Sequence, residues 1–205
     1  MDVSHNDAGA AVRSDDLGSG IAIPPAKLAH IVFRSPRFAE MVDWYKLVFC
    51  AEPAFENEFL AFLSYDDEHH RIAVVNAPMV ADAPEGVSGV HHIAFTYNSL
   101  SDLLQTYQRL KTQGIMPIVG VNHGPTTSIF YADPDGNQLE FQIENFDTVE
   151  ESAAYFSSPA FGINPVGVDF DPDDLLSRLL AGESEKVLKE RPDIGPRTLE
   201  SYPVR

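Results

Sequence analysis

The feature that most restricts what this chain can fold into is an internal duplication. Shifting His30, Phe33, Phe38, Met41, Val42 and Tyr45 by 62 residues lands on His92, Phe95, Leu100, Leu103, Leu104 and Tyr107. Six positions keep their residue type in one register, so one supersecondary unit is used twice. Within each copy a strand-like period gives way to a helical one. "KLAHIVF" (27–33) alternates, and "RFAEMVDWYKLVF" places Phe38, Met41, Val42 and Tyr45 on one helical face. Strands are expected near 53–56, 59–65 and 70–76, and in the second copy near 115–121, 126–132 and 137–143. Gly114 ends the second helix, and the Asp-Gly of "ADPDGN" turns the last hairpin. The expected fold class is α+β: paired βαβββ modules, 26–78 and 89–146, forming a curved sheet around a metal site within one domain, 26–146.

The flanks differ from this unit. Residues 1–25, rich in Gly, Ala, Ser and Asp, read as a mobile N-terminal arm, and 77–89 as a Pro/Gly/Ala-rich linker. Residues 147–205 contain no histidine; "TVEESAAYFSS" and "DPDDLLSRLLAG" look like short helices of a C-terminal extension packed on the domain. A net charge of −17 argues against binding nucleic acid or an anionic membrane. No apolar run approaches the ~18 residues that span a bilayer, and no signal-peptide pattern opens the chain, so a cytoplasmic location is expected. The single cysteine, Cys50, excludes an internal disulfide or a Cys-rich zinc site, and reads as a small buried residue on a helix.

Alternation along the strands selects a candidate site. His30 shares a face with Leu28 and Val32, and His92 with Ala94 and Thr96, whereas His91 turns the other way. In "NQLEFQI", Gln138, Glu140 and Gln142 line one face and Leu139, Phe141 and Ile143 the other. A lone strand histidine is usually a hydrogen-bonded or half-exposed residue, and a lone strand glutamate usually faces solvent. The repeat match changes that weighing, because it sets His30 and His92 at equivalent places. With Glu140 they form a candidate set of metal ligands, two imidazoles and one carboxylate, which suits Fe(2+), with Mn(2+) next. Aligning the two copies through Tyr65 and Tyr131 puts Val74 opposite Glu140, which argues against a fourth ligand.

Together "AHIVF", "HHIAF" and "YADPDGNQLEF" resemble the vicinal oxygen chelate superfamily, which includes glyoxalases, bleomycin- and fosfomycin-resistance proteins and extradiol dioxygenases. "VNHGPTTSIFYADPDGNQLE" is similar to the type I extradiol signature, though with one residue fewer between Tyr131 and the Asp-Pro. "DEHHRIAVV" resembles that group's His-His pair entering a strand. The resemblance implies a one-domain, Fe(2+)-dependent extradiol dioxygenase that opens the ring of a catecholic substrate with O2. In it His70 would take and return a proton, His123 would hydrogen-bond an oxygen of the reacting diol, and Tyr131 would steady the substrate or Glu140. It further implies a homo-oligomer, a dimer or higher. The alternatives are another metal-dependent enzyme of the superfamily (an isomerase, lyase or thiol transferase) and a non-enzymatic small-molecule-binding relative.

Overall fold

The computed structural model describes residues 24–84, 86–198 and 200; the proposed arm at 1–25 lies almost wholly outside them. The first module runs β1 (Ile31–Ser35), α1 (Phe38–Phe49), β2 (Glu52–Glu56), β3 (Leu60–Ser64) and β4 (Ile72–Asn76). The second runs β5 (His92–Thr96), α2 (Leu100–Thr112), β6 (Val119–Asn122), β7 (Thr126–Ala132) and β8 (Gln138–Glu144). Beyond it come α3 (Val149–Tyr155), α4 (Pro159–Ile163), β9 (Val168–Phe170), α5 (Pro172–Leu180) and α6 (Glu185–Leu188).

Each module makes its own sheet, in the order β1-β4-β3-β2 for the first and β5-β8-β7-β6 for the second, with β9 added beside β6. The first strand of each module pairs parallel to its last, and the remaining module pairs are antiparallel. The expectation of one curved sheet is corrected here: the two sheets are open, and β1 and β5 are not hydrogen-bonded to each other. A small cavity of about 170 Å³ separates these strands, lined by His30 and Ile31 on one side and Ile93, Ala94 and Phe95 on the other.

The two modules are joined by a shared core. Met41, Val42, Tyr45 and Val48 of α1 belong to the same buried cluster as Leu100, Leu103, Leu104, Tyr107 and Leu110 of α2. Phe49, at the end of α1, packs edge-on against Phe95 and Phe141 of the second sheet, with ring centroids 4.5 and 5.4 Å away. Arg109 of α2 donates to the carbonyls of Leu47 and Val48 at 2.7 and 2.8 Å, placing a cation at the negative end of α1. Cys50 caps that end in the left-handed region (φ 50°) and is exposed, not the buried helical residue expected. Its strand-like neighbours begin at once, so the chain reverses on a residue that lies outside the core.

A second link runs through the "ADPDGN" turn. The buried Asp133 carboxylate accepts from the backbone of Asp135 and Asn137, from the Asn137 amide, and from the Tyr45 hydroxyl of α1 at 3.0 Å. Arg37, just before α1, pairs with Asp135 at 2.6 Å and with Asp82 of the linker at 2.7 Å. Burial pushes the Asp133 carboxyl up, against those hydrogen bonds. The extension is tied to α2: Glu185 accepts from the Leu100 and Ser101 backbones at 3.2 and 2.9 Å, filling part of the helix N-terminus. Asp173 of α5 holds Tyr107 at 2.8 Å and Lys111.

Tyr45→Phe removes the α1 hydroxyl that reaches Asp133 while leaving the ring in the core. Asp133 keeps its other donors, so urea unfolding is expected to show a loss of about 0.5–1.5 kcal/mol, the net worth of one hydrogen bond, with an unchanged denaturant slope.

Candidate active site

Strand β8 puts its apolar side into the core and its polar side toward the open face. Leu139, Phe141 and Ile143 are at most 2% exposed and lie in the core cluster, while Gln138, Glu140 and Gln142 look the other way. Ala94 is the β5 residue opposite Glu140, and its small side chain leaves the carboxylate room. His92, two residues earlier on the same face, donates through Nε2 to Glu140 Oε2 at 3.0 Å. His123, in the loop after β6, brings its Nε2 to 3.7 Å from Glu140 Oε1. Glu140 is only 5% exposed, so two imidazoles meet a nearly buried carboxylate.

The electrostatics follow from that contact. Burial alone would raise the Glu140 carboxyl, but hydrogen bonds from His92 and Ser128 and the nearby His123 hold it below the usual carboxylate range. The same hydrogen bond raises His92 above an ordinary imidazole, against its partial burial. Burial dominates at His123 and lowers it, only partly opposed by Glu140. His91 Nδ1 lies 2.7 Å from His92 Nδ1. His91 thus supports His92 from behind.

His30 is set apart. It lies one residue before β1 with its ring tilted against His70 at 4.4 Å, and His70 in turn stacks on Phe62 at 4.5 Å. Among the described residues no three His, Cys, Asp or Glu side chains are grouped closely enough to hold one ion. The expected convergence of His30 with His92 and Glu140 is therefore not what the structure displays. The physical reason is the open seam between β1 and β5: His30 meets His70 of its own module instead of the carboxylate across the seam. For His92 and Glu140 the donor chemistry does fit a divalent cation: a nitrogen and an oxygen are aimed at each other across the one proton that a cation would replace.

Register settles two further expectations. Ile31 is opposite Ile72 as Ile93 is opposite Leu139, so the first-module counterpart of Glu140 is Ala73, not Val74. Val74 points into the core. The conclusion that the first module supplies no carboxylate there is unaltered. Tyr131 stands opposite Leu139 and so faces the core, away from Glu140, packing on Phe141 at 5.2 Å. It is 1% exposed, and its hydroxyl has no hydrogen-bond partner among the described residues. The residue opposite Glu140 is Phe130, whose ring edges face His92 and His123 at 5.5 and 6.0 Å. Tyr131 thus cannot steady Glu140, and Phe130 forms the apolar wall of the site. Counting strand parity back from the Asp-Gly turn would have found it. The single residue missing between Tyr131 and the Asp-Pro turns the phenol inward.

His70 keeps its place on the open face, because the bend at Arg71 breaks the strand alternation before β4 begins. Desolvation lowers it, helped by the neighbouring His30 and His69, so it is neutral at neutral pH.

The model of the glyoxalase/bleomycin resistance protein/dioxygenase superfamily matches residues 27–141. The chain belongs to this superfamily. It is 46% identical over 157 residues to biphenyl-2,3-diol 1,2-dioxygenase 2 of Rhodococcus globerulus, covering 76% of this chain and 83% of the relative. It is 39% identical over 167 residues to biphenyl-2,3-diol 1,2-dioxygenase 3 of the same organism, covering 80% and 88%. Matches of that length cannot be contained in residues 1–146, so they run into the C-terminal extension. The glyoxylase/bleomycin resistance protein/dioxygenase domain from Frankia sp. EAN1pec shares the fold, with 15% identity, a TM-score of 0.50, and coverage of 59% of this chain and 99% of that one. No helix among the described residues is long and apolar enough to cross a membrane.

In metal-free protein the His92–Glu140 contact has a defined pH signature. A raised imidazole stabilises the fold below its unfolded value and loses that contribution as pH rises through its folded value; a lowered carboxyl stabilises above its unfolded value and loses that as pH falls through its folded value. The pair therefore contributes in full between the ordinary carboxylate range and 6.5, the ordinary imidazole value, and less on either side. NMR titration should find His92 above that value, and Glu140→Gln should bring it down.

Proposed function

We propose that this chain is an extradiol dioxygenase that opens the ring of an aromatic vicinal diol, of the biphenyl-2,3-diol class, using O2 and Fe(2+). The observation that carries the reading is the buried Glu140 carboxylate meeting His92 at 3.0 Å and His123 at 3.7 Å on the open face, in a chain 46% identical to a biphenyl-2,3-diol 1,2-dioxygenase. His92 and Glu140 would hold the metal, with His30, the repeat-matched counterpart of His92 just before β1, as the third ligand; Mn(2+) suits the same donors. When bound, such an ion supplies Lewis acidity at the diol hydroxyls and a redox partner for O2.

The chain's own side chains do the rest. His70, neutral and braced between His30 and Phe62, takes a proton from the entering diol and returns one as the ring opens. His123 hydrogen-bonds the substrate oxygen on the Glu140 side. Phe130, 1% exposed behind His92 and His123, excludes water from that corner. Both atoms of O2 enter the product, the carbon–carbon bond beside the diol breaks, and the product is the sum of diol and O2. No external reductant is consumed.

Anaerobically purified protein, loaded with Fe(2+) and mixed with 2,3-dihydroxybiphenyl and a panel of simpler catechols, should take up O2 equimolar with the diol on admission of air and turn yellow. Absence of O2 uptake across the panel overturns the reading in favour of a superfamily enzyme of another chemistry. His70→Gln should retain iron while turnover falls by about 10²–10⁴-fold, the usual contribution of a positioned acid–base group. Unchanged turnover removes His70 from the mechanism.

A further inference from the structure

The C-terminal extension reaches the candidate site at His123. His123 Nδ1 lies 2.5 Å from the carbonyl oxygen of Val166, a residue between α4 and β9. A carbonyl only accepts, so Nδ1 carries the ring proton, and in the neutral ring Nε2 presents its lone pair toward Glu140. We propose that residues 164–167 are a positioning device for His123, with Asn164 and Gly167 holding the Val166 carbonyl in place and so fixing the tautomer and direction of the imidazole that the reaction uses. This rests on the dioxygenase reading for its catalytic consequence, but not for its geometry.

The device is built on both sides. Asn164 is 3% exposed and its amide works in both directions: Oδ1 accepts from the backbones of Val166 and Gly167 at 3.2 and 2.7 Å, and Nδ2 donates to the Gly167 carbonyl at 3.0 Å. A single side chain thereby closes the turn that aims Val166. Gly167 has φ 115°, and a Cβ there would meet the Asn122 carbonyl oxygen at 2.5 Å and His123 Cα at 2.9 Å. Only glycine allows the two backbones to approach so closely. Arg191 then ties the halves together, donating to the Asn164 carbonyl at 2.8 Å, the Ala160 carbonyl at 3.1 Å and, more weakly, the His123 carbonyl at 3.4 Å. Arg197 holds the Gly167 carbonyl at 3.1 Å.

On the other side the loop carrying His123 is also held by the second module. His123 N–H donates to the Thr126 carbonyl at 2.9 Å, and Asn145 donates to the Gly124 carbonyl at 2.8 Å. The backbone of the loop is thus held from both sides, while the imidazole Nδ1 is held by the extension. Supporting partners of this kind, when removed, typically cost about 10- to 100-fold in activity.

The test uses full-length protein. Long-range ¹H–¹⁵N NMR of the His123 ring in the wild type at pH 8 should show a protonated Nδ1 and a bare Nε2; the opposite tautomer overturns the proposal whatever the variants do. In Asn164→Ala, and in Gly167→Ala as a second disturbance, the two nitrogen signals should move toward a mixture. With iron and 2,3-dihydroxybiphenyl, kcat should fall by about 10- to 100-fold with KM changed less than threefold. A variant with wild-type circular dichroism and Tm that keeps an unmixed tautomer, or full kcat, overturns it. If the wild type opens no diol, the dioxygenase reading fails, and the tautomer signals alone decide whether the brace exists.

Discussion

The alternation along β8 is the constraint on which the rest of this structure depends. Three consecutive inward positions, Leu139, Phe141 and Ile143, anchor the strand in a core that both modules share. Their burial forces Glu140, between the first two, onto the opposite face. A carboxylate so placed is 5% exposed with no freedom to swing to solvent, and it must find partners or protonate. It finds donors in His92 of the neighbouring parallel strand and Ser128 of the antiparallel one, with His123 close by. The polar site follows from the apolar packing behind it.

The same logic explains which parts were legible in the sequence. The duplicated helices were, because Met41, Val42 and Tyr45 and their counterparts Leu103, Leu104 and Tyr107 carry strong periodicity and all are buried. The face carrying Glu140 was also legible, since seven residues of clean alternation admit one reading. Cross-strand register was not, because it depends on where β4 begins and on the turn before β8. A one-residue difference exchanges Val74 for Ala73 and Tyr131 for Phe130, and each exchange flips a side chain between core and site. Strand β9 escaped notice because three residues carry no periodicity; its place beside β6 comes from pairing with Gly120, Val121 and Asn122. The gap between β1 and β5 could not be read at all, since nothing local encodes how two sheets meet.

The extension changes meaning once its contacts are placed. By composition it is a histidine-free segment with two short helices, which suggests packing and no chemistry. In three dimensions one end caps α2 through Glu185, and its middle delivers a backbone carbonyl to His123. The match to the two Rhodococcus dioxygenases runs past residue 146, whereas the Frankia domain is 99% covered by 59% of this chain. The segment that distinguishes this chain from the bare double module is also the one that touches a candidate catalytic side chain.

The asymmetry between modules bears on what the site accepts. The first module carries Ala73 where the second carries Glu140, so the proposed ligand set contains one negative charge against the two positive charges of a divalent ion. The histidines, neutral as ligands, leave that balance alone. A net charge of about +1 in a nearly buried setting favours an anion that brings its own second donor atom. A vicinal diol that has lost one proton supplies both: a negative oxygen and an adjacent hydroxyl at the spacing of a single ring edge. On the proposed ligand set, the preference for a diol anion thus follows from Ala73, a small apolar residue in the strand where the two modules diverge.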